Sequence, residues 1–495
     1  MHFNDLIHNY ITIFEYFIHI RLKPNIFFLV IDSLRQDKCL GKSKTSVTPT
    51  LDKLIQNGTF FNQNISTAPI TVPSLSSMFT GLYPFECTTI DNNIFNLNQN
   101  LPTFSDDLIN SGYQTYAIIP EAEKHTNISK LFANVEFFNS FATLYDENLG
   151  NKIIKTLNQD VKSPWFLFVH LIDLHGLAMF QLENNFEKSG ENYTEVNQYD
   201  KMLSTIDPWL GKIFQCINLK NTICVITSDH GSTFADFTNK MLKFNLENDR
   251  LRKFEPGFSF NSAHKIATKF PKKLTPLRKK LANMYTKRRD AKVKKKLEPR
   301  LDLVKNLDLS TYQKRLLKKS ILYPCDCFDE NFRPALILLG PDIPSGKIIS
   351  EQSSSIDLFP TILDLIKIPT KINHRGKSLV PLLTNTKTEP RVLMIDSTSN
   401  EFEAEYGNTI GLRTKQHKYF RDRLSENKNV HLYDLVSDPL EEHNIYQNNP
   451  DIVEQMELEL KKIHNNKDFS FKTAQNLSDA EIQNAKKLLK DLGYV

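Results

Sequence analysis

Apolar positions along this chain arrive in short blocks separated by polar, turn-forming stretches. Ile26 to Ile31, Thr115 to Ile119, Trp165 to Leu171, Thr222 to Thr227 and Ala335 to Leu339 are rich in β-branched and aromatic residues. They run with little alternation, as strands buried on both faces do. Helical spacing of apolar residues fills the intervals near Thr50 to Gln56, Pro73 to Phe79, Thr103 to Asn110, Asn148 to Asn158 and Val196 to Gln215. Strand and helix in alternation predict an α/β fold with a largely parallel central sheet and helices on both faces. Residues 232–321 lack the strand pattern and read as a mainly helical insertion. Beyond Pro381, shorter strand signals and a final helix over Asp479 to Leu492 predict a small C-terminal α+β module. The expected organisation is an N-terminal amphipathic segment over 1–24, a main domain over 25–380 that carries the insertion, and a C-terminal subdomain over 381–495.

Two polar pairs, Asp32-Ser33 and Asp229-His230, fall just after apolar strands. In open α/β sheets ligands gather outside the carboxyl ends of the strands, so both pairs stand where a site belongs. A third feature is the run Ala68-Pro-Ile-Thr-Val-Pro-Ser-Leu-Ser-Ser-Met-Phe-Thr-Gly-Leu-Tyr-Pro84. Pro73 and Ser74 suit a first helical turn, Leu75, Met78, Phe79 and Leu82 recur at helical spacing, and Gly81 and Pro84 end the segment. The hydroxyl of Thr71 at the mouth of this helix would face free N–H groups and the positive end of the dipole, which favours an alkoxide and a bound oxyanion. Read in isolation, the same residue serves equally as an N-cap.

The run resembles the nucleophile segment of the sulfatase family in the alkaline phosphatase superfamily, whose formylglycine members carry Cys or Ser where this chain has Thr71 in Thr71-Val-Pro-Ser-Leu75. Other stretches resemble family landmarks in order. They are Asn25 to Asp37, Thr48 to Leu54, Val169-His-Leu-Ile-Asp-Leu-His175, Ile226-Thr-Ser-Asp-His-Gly231, Phe328 to Pro334 with Ile356 to Asp364, and a C-terminal series from Gly411. The resemblance implies an alkaline-phosphatase-like fold. It also implies one divalent metal ion, Ca, Mg, Mn or Zn, with Asp32, Thr71, Asp229 and His230 at the metal positions. His175 matches the histidine that contacts the substrate's charged group and is a candidate for substrate binding or general acid work, with Asp173 as a neighbour able to orient it. His170, on the other strand face, reads as structural.

Departures from the family pattern matter for the reaction. Ser33 stands where a second aspartate is common, Leu75 replaces the arginine of formylglycine members or the histidine of threonine-type relatives, and Pro324-Cys-Asp-Cys327 lies where many members place Lys or His. Asp326 is within reach of the site but cannot replace an ammonium, and His264 or a lysine of the insertion is the expected substitute. Oxidation to formylglycine takes hydrogens from the Cβ of Cys or Ser and leaves an aldehyde. The Cβ of threonine carries a methyl and would give a ketone. A threonine nucleophile therefore implies a phosphothreonine-type intermediate, and metal-dependent phosphodiester or phosphoryl-group transfer is the favoured reading within hydrolysis or transfer of phospho- and sulfo-esters. The alternative is a catalytically degenerate binding protein for an anionic glycan or membrane surface.

Composition changes this picture in three places. A chain of 495 residues, 40% hydrophobic and 24% charged, is ordinary globular material. Its net charge of +5 hides fifteen Lys or Arg between His264 and Arg300 against Asp290 and Glu298, so that stretch is +13 and the rest −8. The basic 265–300 stretch suits an anionic membrane surface or a polyanionic glycan, and nucleic acid is disfavoured because no recognition motif accompanies it. The expected partner is accordingly an anionic ester substrate on a glycan or lipid headgroup. Residues 6–22 are aromatic but broken by Glu15 and Arg21, without a signal peptide's cleavage site or a span long enough to cross a bilayer. Six cysteines without disulfide-framework spacing point to a reducing compartment, so the expected location is cytoplasmic, peripheral to the membrane if the basic segment docks.

Overall fold

The five apolar runs become adjacent strands of one sheet. The computed structural model describes residues 23–91, 94–139, 143–145, 148–175, 197–238, 241, 298–322, 326–397 and 408–465. Residues 1–22 of the expected N-terminal segment, the final helix over 479–492, His264 and the basic stretch up to 297 lie outside these residues.

Eight strands in chain order form the main sheet: β1 Asn25–Ile31, β2 Thr59–Phe61, β3 Gln114–Pro120, β4 Asn134–Phe138, β5 Trp165–Leu171, β6 Thr222–Thr227, β7 Leu336–Leu339 and β8 Lys347–Ile349. Their spatial order is β8-β2-β7-β6-β1-β5-β3-β4. All neighbours pair in parallel except β7, which runs antiparallel to both β6 and β2. The sheet is thus largely parallel, as the alternation predicts. The three strands the periodicity did not flag, β2, β4 and β8, are short.

Alternation along β1 shows why both faces are covered. Phe27, Leu29 and Ile31 join a cluster with helices α1 Pro49–Asn57 and α5 Gln198–Gln215, through Leu51, Leu54, Leu203, Ile206 and Leu210. Ile26, Phe28 and Val30 face the opposite cluster, built with α2 Thr71–Thr80, α3 Phe104–Asn110 and α6 Leu358–Leu365. The remaining helix of the first face is α4 Leu149–Lys155. Under α2 the packing is aromatic. Phe79 stacks on Phe104 at 5.2 Å and meets Phe168 edge-on at the same centroid distance. A side chain of this kind contributes about 1.5–3 kcal/mol when buried, so α2 is held against the sheet by its own apolar stripe. Gly81 ends α2 with φ +68°, and a Cβ there would stand 2.7 Å from the Phe359 ring.

The C-terminal module is a four-stranded antiparallel sheet of β9 Leu393–Asp396, β10 Thr409–Arg413, β11 His417–Asp422 and β12 His431–Asp434, in that order. Helix α7 Pro450–His464 packs on it through Met456 and Leu460, with Tyr83 and Ile356 completing that core. Residues Asp236–Pro324 form a compact unit distinct from the one made by Met1–Ala235 and Cys325–Val495. Its described part includes the helix Thr311–Leu322. Among the described residues, no helix is long and apolar enough to cross a membrane.

Candidate active site

Parallel register brings the carboxyl ends of β6, β1 and β5 side by side. Val30 pairs with His170 on one side and Thr227 on the other, so the residues that follow, Asp32, Asp173 and Asp229, emerge at one edge of the sheet. Asp32 stays tied to β5, because its amide donates to the Leu171 carbonyl at 2.8 Å. The chain then turns at Ser33, whose φ is +66°.

The two loops are knitted through Asp229. Its Oδ1 accepts from the Ser33 amide at 3.2 Å, Ser228 Oγ at 3.1 Å and the His230 amide at 2.9 Å. Its Oδ2 is buried and accepts no hydrogen bond among the described residues. His230 Nδ1 lies 2.7 Å from the Gly231 carbonyl, which can only accept, so Nδ1 carries a proton, and in the neutral ring Nε2 offers a lone pair. That Nε2 is 3.3 Å from Asp229 Oδ2, 3.9 Å from Asp32 Oδ1 and 3.5 Å from Thr71 Oγ1. One ligand atom each from Asp32, Asp229 and His230 lies within 4.8 Å of the others. A buried carboxylate oxygen without a donor, beside a fixed imidazole lone pair, suits a divalent cation: oxygen ligands with one nitrogen, the histidine oriented by its other ring nitrogen.

Thr71 enters from α2. It is the first helical residue, and Ile70, with extended backbone at φ −139° and ψ 147°, precedes it without a capping group. The N-cap position thus falls to Ile70, and the Thr71 hydroxyl lies beside His230. The apolar stripe of α2 explains this, since burying Leu75, Met78 and Phe79 fixes the face on which Thr71 lies. Ser74, one turn on, donates to the Asp229 carbonyl at 2.5 Å and locks α2 to the β6 loop.

His175 joins through Asp32, its Nδ1 lying 2.9 Å from Asp32 Oδ2. Burial alone would raise the Asp32 pKa, but the imidazoles of His175, His230 and His170 outweigh it and hold the carboxyl well below its usual range. Asp173 is fully buried, and its Oδ1 accepts from the Leu144 amide at 2.9 Å. The His175 ring meets the Asp32 carboxylate. Ser33 Oγ donates to Asp32 Oδ1 at 2.7 Å, so the residue at the second-aspartate position orients the first. Leu75 is buried in the aromatic core under the sheet. Asp326 Oδ1 accepts from the Phe328 amide at 3.5 Å, ordering the turn there.

Two contributors escaped the sequence reading. Glu123, just past the carboxyl end of β3, contacts His170 Nδ1, and both side chains are buried. Burial works against the imidazolium, but the Glu123 carboxylate raises the His170 pKa to about 9. An acidic residue soon after a strand was the available signal. The other is Ser228, whose Oγ accepts from the Leu34 amide at 2.9 Å and binds the two loops together.

Comparison with known proteins agrees with this architecture. The sulfatase family model matches residues 24–368, and the model described as N-sulphoglucosamine sulphohydrolase, C-terminal, matches 323–466. Arylsulfatase K of Homo sapiens is 24% identical over 478 residues, covering 89% of this chain and 82% of that protein. Arylsulfatase K of Rattus norvegicus is 22% identical over 472 residues, covering 89% and 78%. Among solved structures, the phosphonate monoester hydrolase of Agrobacterium radiobacter superposes with a TM-score of 0.58 at 15% identity, covering 89% of this chain and 95% of that one. An enzyme solved with its substrate D-glucosamine-2-N,6-O-disulfate gives a TM-score of 0.58 at 16% identity, covering 90% and 99%. At such identities the structural likeness speaks for the fold, and the family model, spanning well over half of the sequence, speaks for descent: this chain belongs to the sulfatase family and is a hydrolase of the alkaline phosphatase superfamily.

Proposed function

We propose that this chain transfers a substituted phosphoryl group from an anionic ester, with Thr71 as the nucleophile and a divalent cation held by Asp32, Asp229, His230 and Thr71. The observation that carries the proposal is Thr71 Oγ1 at 3.5 Å from His230 Nε2, at the N-terminus of α2 and beside the Asp32–Asp229 cluster. The bound ion would neutralise the ester and lower the pKa of the threonine hydroxyl. The Thr71 hydroxyl gives its proton to solvent, its Oγ1 attacks phosphorus, a new O–P bond forms, and the bond to the leaving oxygen breaks. The positive end of the α2 dipole stabilises the equatorial oxygens. His175, partly exposed and oriented by Asp32, gives the departing alkoxide its proton. Water, or a sugar hydroxyl, then takes the phosphoryl group from Thr71 and restores the hydroxyl. Glycan esters are the favoured substrate class, in keeping with relatives whose names specify aryl sulfates and a sulfated glucosamine. The methyl on the Thr71 Cβ argues against the formylglycine route.

Metal content, together with turnover of bis-p-nitrophenyl phosphate, p-nitrophenyl phosphate and p-nitrophenyl sulfate by wild type and Thr71→Ala, tests this reading. Metal-dependent phosphodiester turnover that disappears in Thr71→Ala supports it; sulfate-ester turnover that survives in Thr71→Ala refutes it. A second reading, a binding protein that kept the fold without catalysis, is favoured by one observation. Leu75, where the resemblance calls for a cation, is sealed in the apolar core. Metal bound without Thr71-dependent turnover of any of these esters would support that reading.

A further inference from the structure

The short helix Asp329–Phe332 and Arg333 after it contact the loops that follow Asp32 and Asp229 and, through Ser66, reach α2. The Asn331 carbonyl accepts from the Gly231 amide at 2.9 Å, and Asn331 Oδ1 accepts from Thr233 Oγ1 at 3.0 Å. The Phe332 carbonyl accepts from the Ser66 amide at 2.9 Å, and Ser66 lies 3.0 Å, Oγ to Oγ, from Ser74 on α2. The Arg333 carbonyl accepts from the Gln36 amide at 3.1 Å, in the loop that follows Asp32. The approach is close enough that a Cβ on Gly231 would stand 2.3 Å from the Glu330 carbonyl oxygen.

A helix of four residues does not hold its own place. Its anchor is supplied by the C-terminal module. Arg413, at the end of β10, grips Asp329 through Nε at 3.0 Å and Nη2 at 2.8 Å. Lys418 of β11 lies 2.6 Å from Asp329 Oδ1 and 2.9 Å from Glu441 Oε1, and Glu441 Oε2 accepts from the Asp329 amide at 2.7 Å. All four side chains are buried. Burial would raise the Asp329 pKa, but Arg413 and Lys418 hold it well below the usual carboxylate range.

We infer that Arg413 and Lys418 are positioning residues for the metal cluster, acting from the C-terminal module through Asp329 on the loop Asp229–Gly231. This rests on the metal reading given above. The module is then part of the site: cation binding and the grip on Asp329 favour the same arrangement of the loop, and each strengthens the other.

The test uses the full chain and four cations, Ca²⁺, Mg²⁺, Mn²⁺ and Zn²⁺, titrated calorimetrically. Arg413→Gln and Lys418→Met are expected to weaken the cation that wild type binds by about 10-fold or more, as loss of outer-shell support does elsewhere. Lys418→Arg should recover part of the loss. Arg421→Gln, which breaks a pair with Glu457 in the same module, serves as control and should keep wild-type affinity. Because the first two variants can fail to fold, hydrogen exchange in wild type carries the test independently. Adding the cation should slow exchange across residues 409–422 more than across 450–464. Wild-type affinity in folded Arg413→Gln and Lys418→Met, an equal loss in Arg421→Gln, or no protection in 409–422 would overturn the inference while leaving the metal reading intact. Wild type that binds none of the four cations would overturn both.

Discussion

Asp229 and Asp329 are both buried, yet the groups that face them differ in kind. Around Asp329 stand the guanidinium of Arg413 and the ammonium of Lys418, and its charge is compensated inside the protein. Around Asp229 the donors are two backbone amides and a serine hydroxyl, all on one oxygen, with the other turned towards an imidazole lone pair. A buried carboxylate is costly unless it is paired or coordinates a metal. The contrast therefore separates a structural charge cluster, complete as the chain folds, from a functional one that suits a cation from outside. On the proposed reading the main domain supplies the ligands, and the C-terminal sheet supplies fixed positive charge that braces them.

Five variants test this contrast, in order of decreasing effect. Thr71→Ala should lower phosphodiester kcat/KM by about 10³-fold or more, the order expected on losing an activated nucleophile, with the melting temperature little changed. Asp329→Asn leaves Arg413 and Lys418 facing a neutral side chain and should cost about 3–5 kcal/mol in denaturant unfolding, as breaking a buried pair does. Asp229→Asn keeps the acceptor for the loop amides, so the metal-free protein should unfold within about 1 kcal/mol of wild type, while cation affinity collapses. Equal stability losses for the two Asp→Asn changes would erase the distinction.

Glu123→Gln probes a third buried charge. The folded pKa of His170 is raised above its unfolded value, so the pair's stabilisation is fully present below about pH 6.5 and lost as pH rises through about 9. The stability difference between wild type and Glu123→Gln should therefore be greatest near pH 6, about 1.5–3 kcal/mol, and shrink by pH 9. A difference that grows with pH would contradict the pairing. Smallest is Ser33→Ala, which removes the 2.7 Å bond to Asp32 Oδ1 and should weaken cation binding by about 10-fold at most.

Much of the main sheet was legible because its strands are local apolar runs. Trp165–Leu171 and Thr222–Thr227 have the bounds their patterns suggest, and Asp32 and Asp229 follow such runs directly. Thr71 was legible as a helix-mouth residue because the stripe Leu75, Met78, Phe79 sets the helix phase. Strand order was not, since the antiparallel insertion of β7 between β2 and β6 depends on pairing between distant segments. The short edge-side strand Lys347–Ile349 leaves too few residues for a period to show. Glu123 and the Asp329 cluster escaped for the same reason. A lone acidic residue carries no sign of its partner, and Asp329, Arg413, Lys418 and Glu441 meet only once the C-terminal sheet has folded onto the short helix.

Mass spectrometry of protein quenched during turnover of bis-p-nitrophenyl phosphate tests the central claim most directly. A phosphoryl adduct is expected on the peptide bearing Thr71, localised to that residue, dependent on the bound cation and absent in Thr71→Ala. Sustained turnover with no adduct at Thr71, and undiminished in Thr71→Ala, would contradict it.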